Sequence, residues 1–492
     1  MEKNKIFTYC IFLGIAFYLF WHFVFLDKFL MVNLDDGCMM EPAWQFLTKG
    51  SFSAPQFEGI YGLEKIDIYH GRLHMFFQLP FLKLFGPGPN QVRIVSLVSS
   101  FLVLMITFLI GNKIYGVTTA FAGVLLLSIS GLFILCSHSP RQEMLLTLFI
   151  VLSIYLYIIA EEKKNSFLFF TSGLISALSL DVHLNGIMLV LALGLLFFIC
   201  HKFKFLFTRH FWLWFIGVMV GILWWIAFHI LPDPQIFLTQ FKGIVLGGFR
   251  PPILRTFDFF TLVSKEVYRY YEWFWMTTWH RNMFELFVII AAVFFSFTKR
   301  TKSRNETIVN SLTVSFVILF LLIIPNKTSW YLVYLYPFLS LLIANFCNEI
   351  KFRQIGRVLF LGMVVFYLTQ ITVWSIKHRN VDYNSYINRI KEYIPEGSSL
   401  LADESYWPGF IKYTRGRFKT NTFAHYEKFY KIDWGEYLRL KNMDYIIVNE
   451  NFKEKEFPLN NYVLVGVVKD KVYGGQGHIT GEEFKTFIYR RK

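Results

Sequence analysis

Long apolar runs, separated by short polar segments, occupy most of the chain up to residue 376. A run of about 18 residues or more forms a helix long enough to cross roughly 30 Å of hydrocarbon. The pattern therefore predicts an all-α polytopic membrane domain, residues 1–376, with about eleven membrane-spanning helices. The predicted spans are 6–26, 91–111, 117–135, 143–160, 166–181, 186–201, 211–231, 283–298, 307–325, 330–349 and 355–376.

Two of these spans depend on a further argument. The polar segment 181–186 interrupts one longer apolar stretch, which we interpret as the two spans 166–181 and 186–201. The first apolar run is long for a signal peptide and lacks a small-residue cleavage site. We therefore expect it to stay in the protein as the first span.

Lysine and arginine residues collect in alternate loops between the predicted spans. With a cytoplasmic N-terminus, every cytoplasmic loop carries such residues, whereas the short outer loops hold little more than Arg141 and Lys327. This bias follows the positive-inside rule and favours an odd number of spans. We expect a multi-pass protein of the cell (inner) membrane with a cytoplasmic N-terminus and an extracytoplasmic C-terminal domain. The cytoplasmic charges are Lys113, Lys163, Lys164, Lys202, Lys204, Arg209, Lys299, Arg300, Lys302, Arg304, Lys351, Arg353 and Arg357.

Two of the predicted outer loops, 27–90 and 232–282, are long. The first contains two half-apolar stretches, 39–48 and 73–85, which are too short to span but have the amphipathic character of helices that lie along a membrane surface. The second loop is dense in Trp and Tyr. It forms either an aromatic belt at the membrane interface or a surface that stacks on a sugar or closes as a lid.

Residues 377–492 carry more charge and contain no run that could span a membrane. Short apolar runs typical of buried strands alternate there with helical stretches, a pattern that predicts a small extracytoplasmic α/β domain. The predicted elements are helices near 383–393 and 434–441 and strands at 399–403, 444–449, 462–468 and 484–489.

Composition agrees with a membrane protein. Apolar residues make up 55% of the chain and charged residues only 17%, against about 25% charged in soluble proteins. The formal charge of +15 would suggest nucleic-acid binding in a soluble chain. Here the basic residues lie in loops that flank membrane spans, so we expect no nucleic-acid partner. The five cysteines form no C-x-x-C pair, and we interpret them as small buried residues.

An acidic pair, Asp35-Asp36, follows the first span. Adjacent carboxylates at a membrane edge are costly unless they are solvated, paired or used. One of them could take a proton from a hydroxyl acceptor while the lipid phase holds the other substrate. The alternative is a solvated pair at the end of a helix.

The same loop carries His70, Arg72 and His74. A guanidinium group pairs with phosphate oxygens in a bidentate manner, so this set suits a phosphate group. His70 and His74 stand at positions i and i+4, which also makes them weak candidate ligands of a metal ion, although spacing assigns no third ligand. The sequence predicts no certain cofactor and leaves a divalent metal ion open.

Further polar residues lie on the same predicted side of the membrane. Arg141 and Glu143 stand at the outer edge of a span, where they could pair or where Arg141 could face a lipid phosphate. Asp181, His183 and Lys327 lie on that side too. A transferase with a lipid-phosphate donor needs such a set, because it uses a base for the acceptor and cations for the leaving phosphate.

In this order, the motifs resemble the polytopic glycosyltransferases of the GT-C architecture, in the branch of protein O-mannosyltransferases and lipid A aminoarabinose transferases. That family has an acidic pair, usually Asp-Glu, then a helix and a Gly, then His- or Lys-Pro-Pro-Leu, Phe-Gly and an Arg entering span two. Arg-x-Glu/Asp and Lys-x-x-Trp-Tyr through Tyr-Pro follow. The matching residues, which cover roughly 30–376, are Asp35-Asp36, Gly50, His70-Gly71-Arg72-Leu73, Phe85-Gly86, Arg93, Arg141-Gln142-Glu143, Lys327-Thr328-Ser329-Trp330-Tyr331 and Tyr336-Pro337.

The resemblance implies transfer of one sugar from a polyprenyl-phosphate donor to a protein, lipid or glycan acceptor at the outer face. A single displacement would invert the anomeric centre. The resemblance also implies Asp35 as the base with Asp36 as its alternative, and Glu143 as an orienting or second acidic group. The implied partners of the donor phosphate are His70, Arg72, Arg141, Lys327 and Tyr331.

Departures from the family and rival classes bear on this interpretation. Asp36 stands where the family usually has Glu, and Gly71-Arg72 replaces Pro-Pro, which affects the expected contacts to the phosphate.

A transporter or lipid flippase would show repeats and polar groups at mid-membrane, whereas here the polar groups cluster at the outer edge. An envelope glycan polymerase or ligase would need an Arg-rich outer loop, and a scaffold would not need the acidic pair.

Overall fold

The structure is a computed structural model of the chain, and it describes the following residues: 18, 20–29, 31–68, 70–243, 259–276, 283–299, 304–324, 328–350, 353–420, 442–449, 459–470 and 484–492.

Helices dominate the described chain as far as residue 378. Most of them coincide with the apolar runs of the sequence, because a helix satisfies its own backbone hydrogen bonds where water is absent. In chain order they are α1 (Leu34–Lys49), α2 (Arg72–Phe85), α3 (Pro89–Tyr115), α4 (Val117–Ile129), α5 (Gly131–Ser137), α6 (Glu143–Lys163), α7 (Ser166–Val182), α8 (Ile187–His201), α9 (Arg209–His229), α10 (Pro234–Gln240), α11 (Phe259–Tyr271), α12 (Met283–Thr298), α13 (Arg304–Leu322), α14 (Tyr336–Glu349) and α15 (Arg353–His378).

Two predicted spans are not single helices. The span 117–135 breaks at Ser130, which has extended backbone, and α4 and α5 meet there at 64°. The span 330–349 begins with a 3-10 turn, Ser329–Tyr334, before α14. The predicted first span, 6–26, lies largely outside the described residues.

The described helices make a multi-pass membrane protein. Four of them, α3, α6, α9 and α15, are long and apolar enough to cross a membrane, and the bent pair α4 and α5 would make a fifth span. Four further apolar helices, α7, α8, α12 and α13, are shorter. The total of about eleven spans therefore stays a prediction.

The first outer loop folds into α1 and α2, close to the two predicted amphipathic stretches. Helix α2 buries Met75 and Leu82 in a core that it shares with the C-terminal domain. It leaves Phe77, Leu84 and Phe85 exposed. This division of faces is typical of a helix that lies at a membrane surface and carries a domain on its other side.

The C-terminal domain contains a five-stranded mixed sheet in the order β2-β1-β3-β5-β4. Strand β1 is parallel to both β2 and β3, whereas β5 is antiparallel to β3 and β4. The three-residue strand β2 was not predicted, and the predicted helix near 434–441 lies outside the described residues. The elements are helices α16 (Tyr383–Lys391) and α17 (Trp407–Phe410) and strands β1 (Leu400–Ala402), β2 (Phe418–Thr420), β3 (Tyr445–Asn449), β4 (Tyr462–Asp470) and β5 (Phe484–Arg491).

The outer loop and the C-terminal domain form one packed unit. Met40 of α1 lies in the same buried cluster as Trp407 of the domain. The Trp407 indole donates to Oε1 of the buried Glu41 at 3.1 Å, and Lys419 Nζ donates to the carbonyl of Pro55 at 2.8 Å. The helix that carries the acidic pair is therefore supported from the C-terminal side of the chain.

Candidate functional site

The acidic pair lies in the first turn of α1, which a reciprocal capping box fixes. The Asn33 side chain accepts from the Asp35 amide at 2.9 Å, and Asp36 Oδ2 accepts from the Asn33 amide at 2.9 Å. The two carboxylates consequently face different surroundings. The Asp35 side chain is 32% exposed, and the Asp36 side chain is fully buried.

Asp36 is held by Arg93, the arginine at the start of α3. Arg93 Nε donates to Asp36 Oδ1 at 2.7 Å and Nη2 donates to Oδ2 at 2.6 Å, a bidentate pair between two fully buried side chains. The same guanidinium donates to the Leu26 carbonyl at 2.9 Å. A carboxylate bound in this way fixes α1 against the membrane helices. The enclosed position of Asp36 favours Asp35 over Asp36 as the base.

Arg141 lies between two carboxylates of the predicted site. Its Nε donates to Glu143 Oε1 at 2.8 Å, and its Nη1 donates to Asp35 Oδ2 at 3.2 Å. Glu143 is buried, and its Oε2 has no hydrogen-bond partner among the described residues. The contact between Arg141 and Asp35 is longer, and both side chains are partly exposed. Asp35 can therefore also contact a substrate.

Aromatic rings close one side of this cluster. The Arg141 guanidinium lies 5.6 Å from the centroid of the Trp330 ring. The neighbouring Tyr331 is 4% exposed and stacks on Tyr334 with ring centroids 5.7 Å apart. Lys327, the remaining predicted member of this segment, lies outside the described residues.

His70 forms a pair with Asp67. Its Nδ1 lies 2.6 Å from Asp67 Oδ2, and its amide donates to Asp67 Oδ1 at 3.1 Å. Burial of the ring disfavours its charged form, but the Asp67 carboxylate outweighs burial, so the pKa of His70 is raised above its ordinary value. A histidine that keeps its proton to higher pH suits an anionic ligand.

The N-terminus of α2 is capped by a distant residue. Asp181, at the end of α7, accepts from the Arg72 amide at 3.0 Å and lies 2.5 Å from His229 Nε2. A β carbon at Gly71 would lie 2.2 Å from the carbonyl oxygens of Asp181 and Val182. Only glycine fits this approach, which accounts for the departure from the Pro-Pro pattern at this position. The sequence analysis gave Asp181 no role, although an ionisable group inside an apolar stretch was the signal for one.

The Arg72 side chain is 94% buried, with 6% exposed. Its guanidinium lies between two aromatic rings, 5.7 Å from the centroid of Phe52 and 5.9 Å from that of Phe228. Its Nε and Nη2 have no hydrogen-bond partner among the described residues. A buried cation with unsatisfied donors is costly unless a ligand supplies the acceptors.

The donor set around His74 does not fit a resident metal ion. His74 is buried, and its Nδ1 lies 3.2 Å from the Gln78 amide nitrogen. Nδ1 of His70 is engaged by Asp67. In the part of the chain that the structure describes, no three His, Cys, Asp or Glu side chains lie close enough together to hold a metal ion. We therefore assign no step of the reaction to a metal.

The structure thus brings together residues that the sequence places far apart. Asp35, Arg141 and Glu143 form one contact chain. The charges of Asp35 and Arg141 also influence the pKa of His70. A partly exposed carboxylate can accept a proton from one substrate, and the guanidinium group beside it can stabilise an anion on the other.

One segment of the chain matches a known family. Residues 70–228 match the family described as dolichyl-phosphate-mannose-protein mannosyltransferase. A protein of Aquifex aeolicus (strain VF5), described as uncharacterized, is 23% identical over 327 residues, or 66% of this chain. The chain spans 61% of the length of that relative.

Solved membrane proteins share the fold over nearly the whole chain. ArnT from Cupriavidus metallidurans in the apo state superposes with a TM-score of 0.66 at 12% identity, covering 99% of this chain and 98% of ArnT. ArnT bound to undecaprenyl phosphate gives a TM-score of 0.65 at 12% identity, covering 98% of both chains. The oligosaccharyltransferase AglB from Archaeoglobus fulgidus, in complex with an inhibitory peptide and a dolichol-phosphate, gives 0.55 at 10% identity over 88% of this chain and 69% of AglB.

By fold the chain is similar to a class of polytopic membrane proteins that includes ArnT and AglB. Within that class the chain is similar to the protein O-mannosyltransferase and ArnT type. The resemblance that the motifs predicted is thereby confirmed.

Proposed function

We propose that the protein is an integral membrane glycosyltransferase that moves one sugar from a polyprenyl-phosphate donor to an acceptor at the outer face of the membrane. The observation that carries the proposal is the contact chain Asp35, Arg141 and Glu143. A partly exposed carboxylate lies beside a guanidinium group there, which supports a displacement at the anomeric carbon.

In the proposed reaction Asp35 takes the proton from an acceptor hydroxyl or amine. The freed electron pair forms a bond to the anomeric carbon while the bond from that carbon to the phosphate oxygen breaks. The phosphate leaves with the bonding electrons and stays on the lipid. One displacement inverts the anomeric configuration, so a retained configuration in the product would contradict this mechanism.

Two guanidinium groups and one imidazole ring are proposed to stabilise the leaving phosphate. Arg141 lies next to the base, and its contact with Asp35 can be exchanged for a phosphate oxygen. Arg72 has two buried donor atoms without a partner in the described structure. His70, with its raised pKa, adds positive charge on the same side. Glu143 orients Arg141 through the 2.8 Å bond.

The test is sugar transfer in detergent or liposomes from a mixed pool of radiolabelled polyprenyl-phosphate sugars. Asp35→Asn keeps the size of the side chain and removes the base, and we expect a loss of about 100- to 10,000-fold in turnover. The matched control is Glu64→Gln, a carboxylate of the same loop that accepts from the Gly59 amide at 3.3 Å. Turnover by Asp35→Asn at the wild-type rate would remove the proposed base.

A lipid-linked glycan transporter or flippase is the second candidate, supported by the break between α4 and α5 at Ser130. A folded wild type that scrambles lipid-linked sugars between leaflets without transferring them would favour this function.

In the transfer assay, the pool of labelled donors also identifies the sugar. Parallel reactions with peptide, lipid and glycan acceptors identify the acceptor class.

A further inference from the structure

His183 lies in the break between α7 and α8. Its backbone is extended, with φ −159° and ψ 141°, and its amide donates to the Ser179 carbonyl at 3.0 Å. The ring is half-buried and is stacked edge-on against Tyr331, with centroids 5.5 Å apart. The sequence analysis placed His183 on the outer side but assigned it no role.

One hydrogen bond determines which nitrogen of this ring carries the proton. The Asn185 amide lies 3.0 Å from His183 Nδ1. A backbone N–H can only donate, so Nδ1 accepts and bears the lone pair. The proton of the neutral ring is therefore on Nε2, which makes Nε2–H a donor of fixed identity.

The surroundings keep this ring uncharged. Burial lowers the pKa of His183 to about 3, and the positive charges of Arg141 and His70 add to that effect. The ring packs against Tyr331, and the neighbouring Trp330 ring lies beneath the Arg141 guanidinium, so His183 stands beside the region where the proposed leaving phosphate is stabilised. An uncharged donor adds a hydrogen bond there without adding charge repulsion between neighbouring cations.

We propose, on the basis of the proposed function, that His183 is a further donor-binding residue whose Nε2–H hydrogen-bonds to a phosphate oxygen of the lipid-linked sugar. Its neutral state distinguishes its role from that of the cations. The single hydrogen bond from Nε2–H orients the phosphate. The Asn185 amide holds the ring in the required tautomer. The contact persists after transfer, because the phosphate stays with the lipid.

Two substitutions separate a binding role from a structural one. His183→Phe keeps a ring against Tyr331 and removes both nitrogens, whereas His183→Gln restores an N–H donor. We expect His183→Phe to raise KM for the lipid-linked sugar about 10- to 100-fold, as for a lost hydrogen bond to a charged group. His183→Gln should recover part of this loss, and kcat should change less than KM.

Undecaprenyl phosphate, used as the probe, identifies the atom that is bound. If His183 contacts the phosphate, the inhibition constant of undecaprenyl phosphate rises together with KM in His183→Phe. An unchanged inhibition constant with a raised KM would assign the contact to the sugar and overturn the proposal. The control is His210→Phe, near the N-terminal end of α9, where the ring stacks on Phe169 with centroids 4.7 Å apart.

Direct binding keeps this test independent of turnover. Undecaprenyl phosphate alone stabilises a protein that binds it, so the thermal shift it causes can be measured without an acceptor. For each protein the shift is measured from its own melting temperature without ligand. We expect this shift to be smaller for His183→Phe than for wild type. An equal shift would overturn the inference, whereas absence of transfer by a wild type that still binds the probe would count against the proposed function alone.

Discussion

Asp35 and Asp36 are adjacent in sequence, yet their side chains meet opposite surroundings. Asp36 is enclosed with Arg93, and Asp35 is partly exposed beside Arg141. Removing one partner of a buried ion pair leaves an uncompensated charge, whereas a partly exposed pair contributes little to stability. The two positions therefore separate a carboxylate held in a buried ion pair from the carboxylate that is proposed as the base.

The acidic pair gives the first prediction at this scale. Asp36→Ala should lower the free energy of unfolding by about 3–5 kcal/mol, because Arg93 stays buried without its partner. Asp35→Ala should change stability by less than about 1 kcal/mol and abolish transfer. Thermal unfolding in detergent and the transfer assay check both. Equal stability losses at the two positions would contradict the assignment.

The second prediction concerns the effect of pH through His70. The folded-state pKa is raised, so the protonated ring and its contribution to donor binding are present at low pH and are lost as pH rises through that pKa. KM for the donor should increase above the ordinary histidine range, near about 6.5. The charges of Asp35 and Arg141 also influence the pKa of His70, and burial together with the charge of His70 lowers the pKa of His74 and of His183.

Asp67→Asn is the variant that isolates this effect. Loss of the carboxylate should lower the pKa of His70 and move the increase in KM to lower pH, since Asp67 is the group that raises it. The measurement is KM from roughly pH 5.5 to 9 for both proteins. The same inflection in both profiles would show that His70 is not responsible.

At the scale of single elements, α1 depends on a close approach to the C-terminal domain. A β carbon at Gly37 would lie 2.2 Å from the Glu404 carbonyl oxygen and 2.9 Å from Trp407 Cβ. The Gln56 side chain also donates to the Gly37 carbonyl at 3.2 Å. The first turn of α1 is therefore positioned by close contact with the C-terminal domain.

Gly37→Ala gives the prediction for this element. The added methyl group must displace α1 or the Glu404 segment, and we expect a fall in kcat larger than the rise in KM, because Asp35 moves relative to the reacting atoms. Thr48→Ala, at an exposed position near the other end of α1, is the matched control. Unchanged kcat in Gly37→Ala would mean that the helix tolerates the shift.

The same elements show what the sequence could and could not predict. Helices α3 and α6 lie within a few residues of their predicted ends, because a long apolar run determines both existence and length. The break at Ser130 and the three-residue strand β2 have no comparable local signal. The pair Asp36 and Arg93 joins positions 57 residues apart, so the local pattern alone could not distinguish Asp35 from Asp36.

At the scale of the whole molecule, the site is built from three separated parts of the chain. The outer loop supplies the acidic pair and His70, the ends of membrane helices supply Arg141 and Asp181, and the C-terminal domain supports α1. If the positive-inside pattern sets the orientation, all three lie outside the cytoplasm.

Cysteine labelling in intact cells checks that orientation. A cysteine introduced at Glu396, in the C-terminal domain, should react with a membrane-impermeant maleimide. A cysteine at Lys163, at the end of α6, should react only after permeabilisation. Both side chains are exposed in the structure, so a reversed pattern would place the site on the cytoplasmic side. The protein without an added cysteine gives the background from its own thiols.

The bond from Trp407 to Glu41 joins residues 366 positions apart. A ribosome adds about 5–20 residues per second, so the finished loop waits roughly 20 to 70 s for the domain that supports it. During synthesis, α1 and α2 are present at the membrane without their packing partner, and their apolar faces need other cover. During that interval we expect lipid or a chaperone to cover these faces, and we expect the carboxylate proposed as the base to reach its final position late in folding.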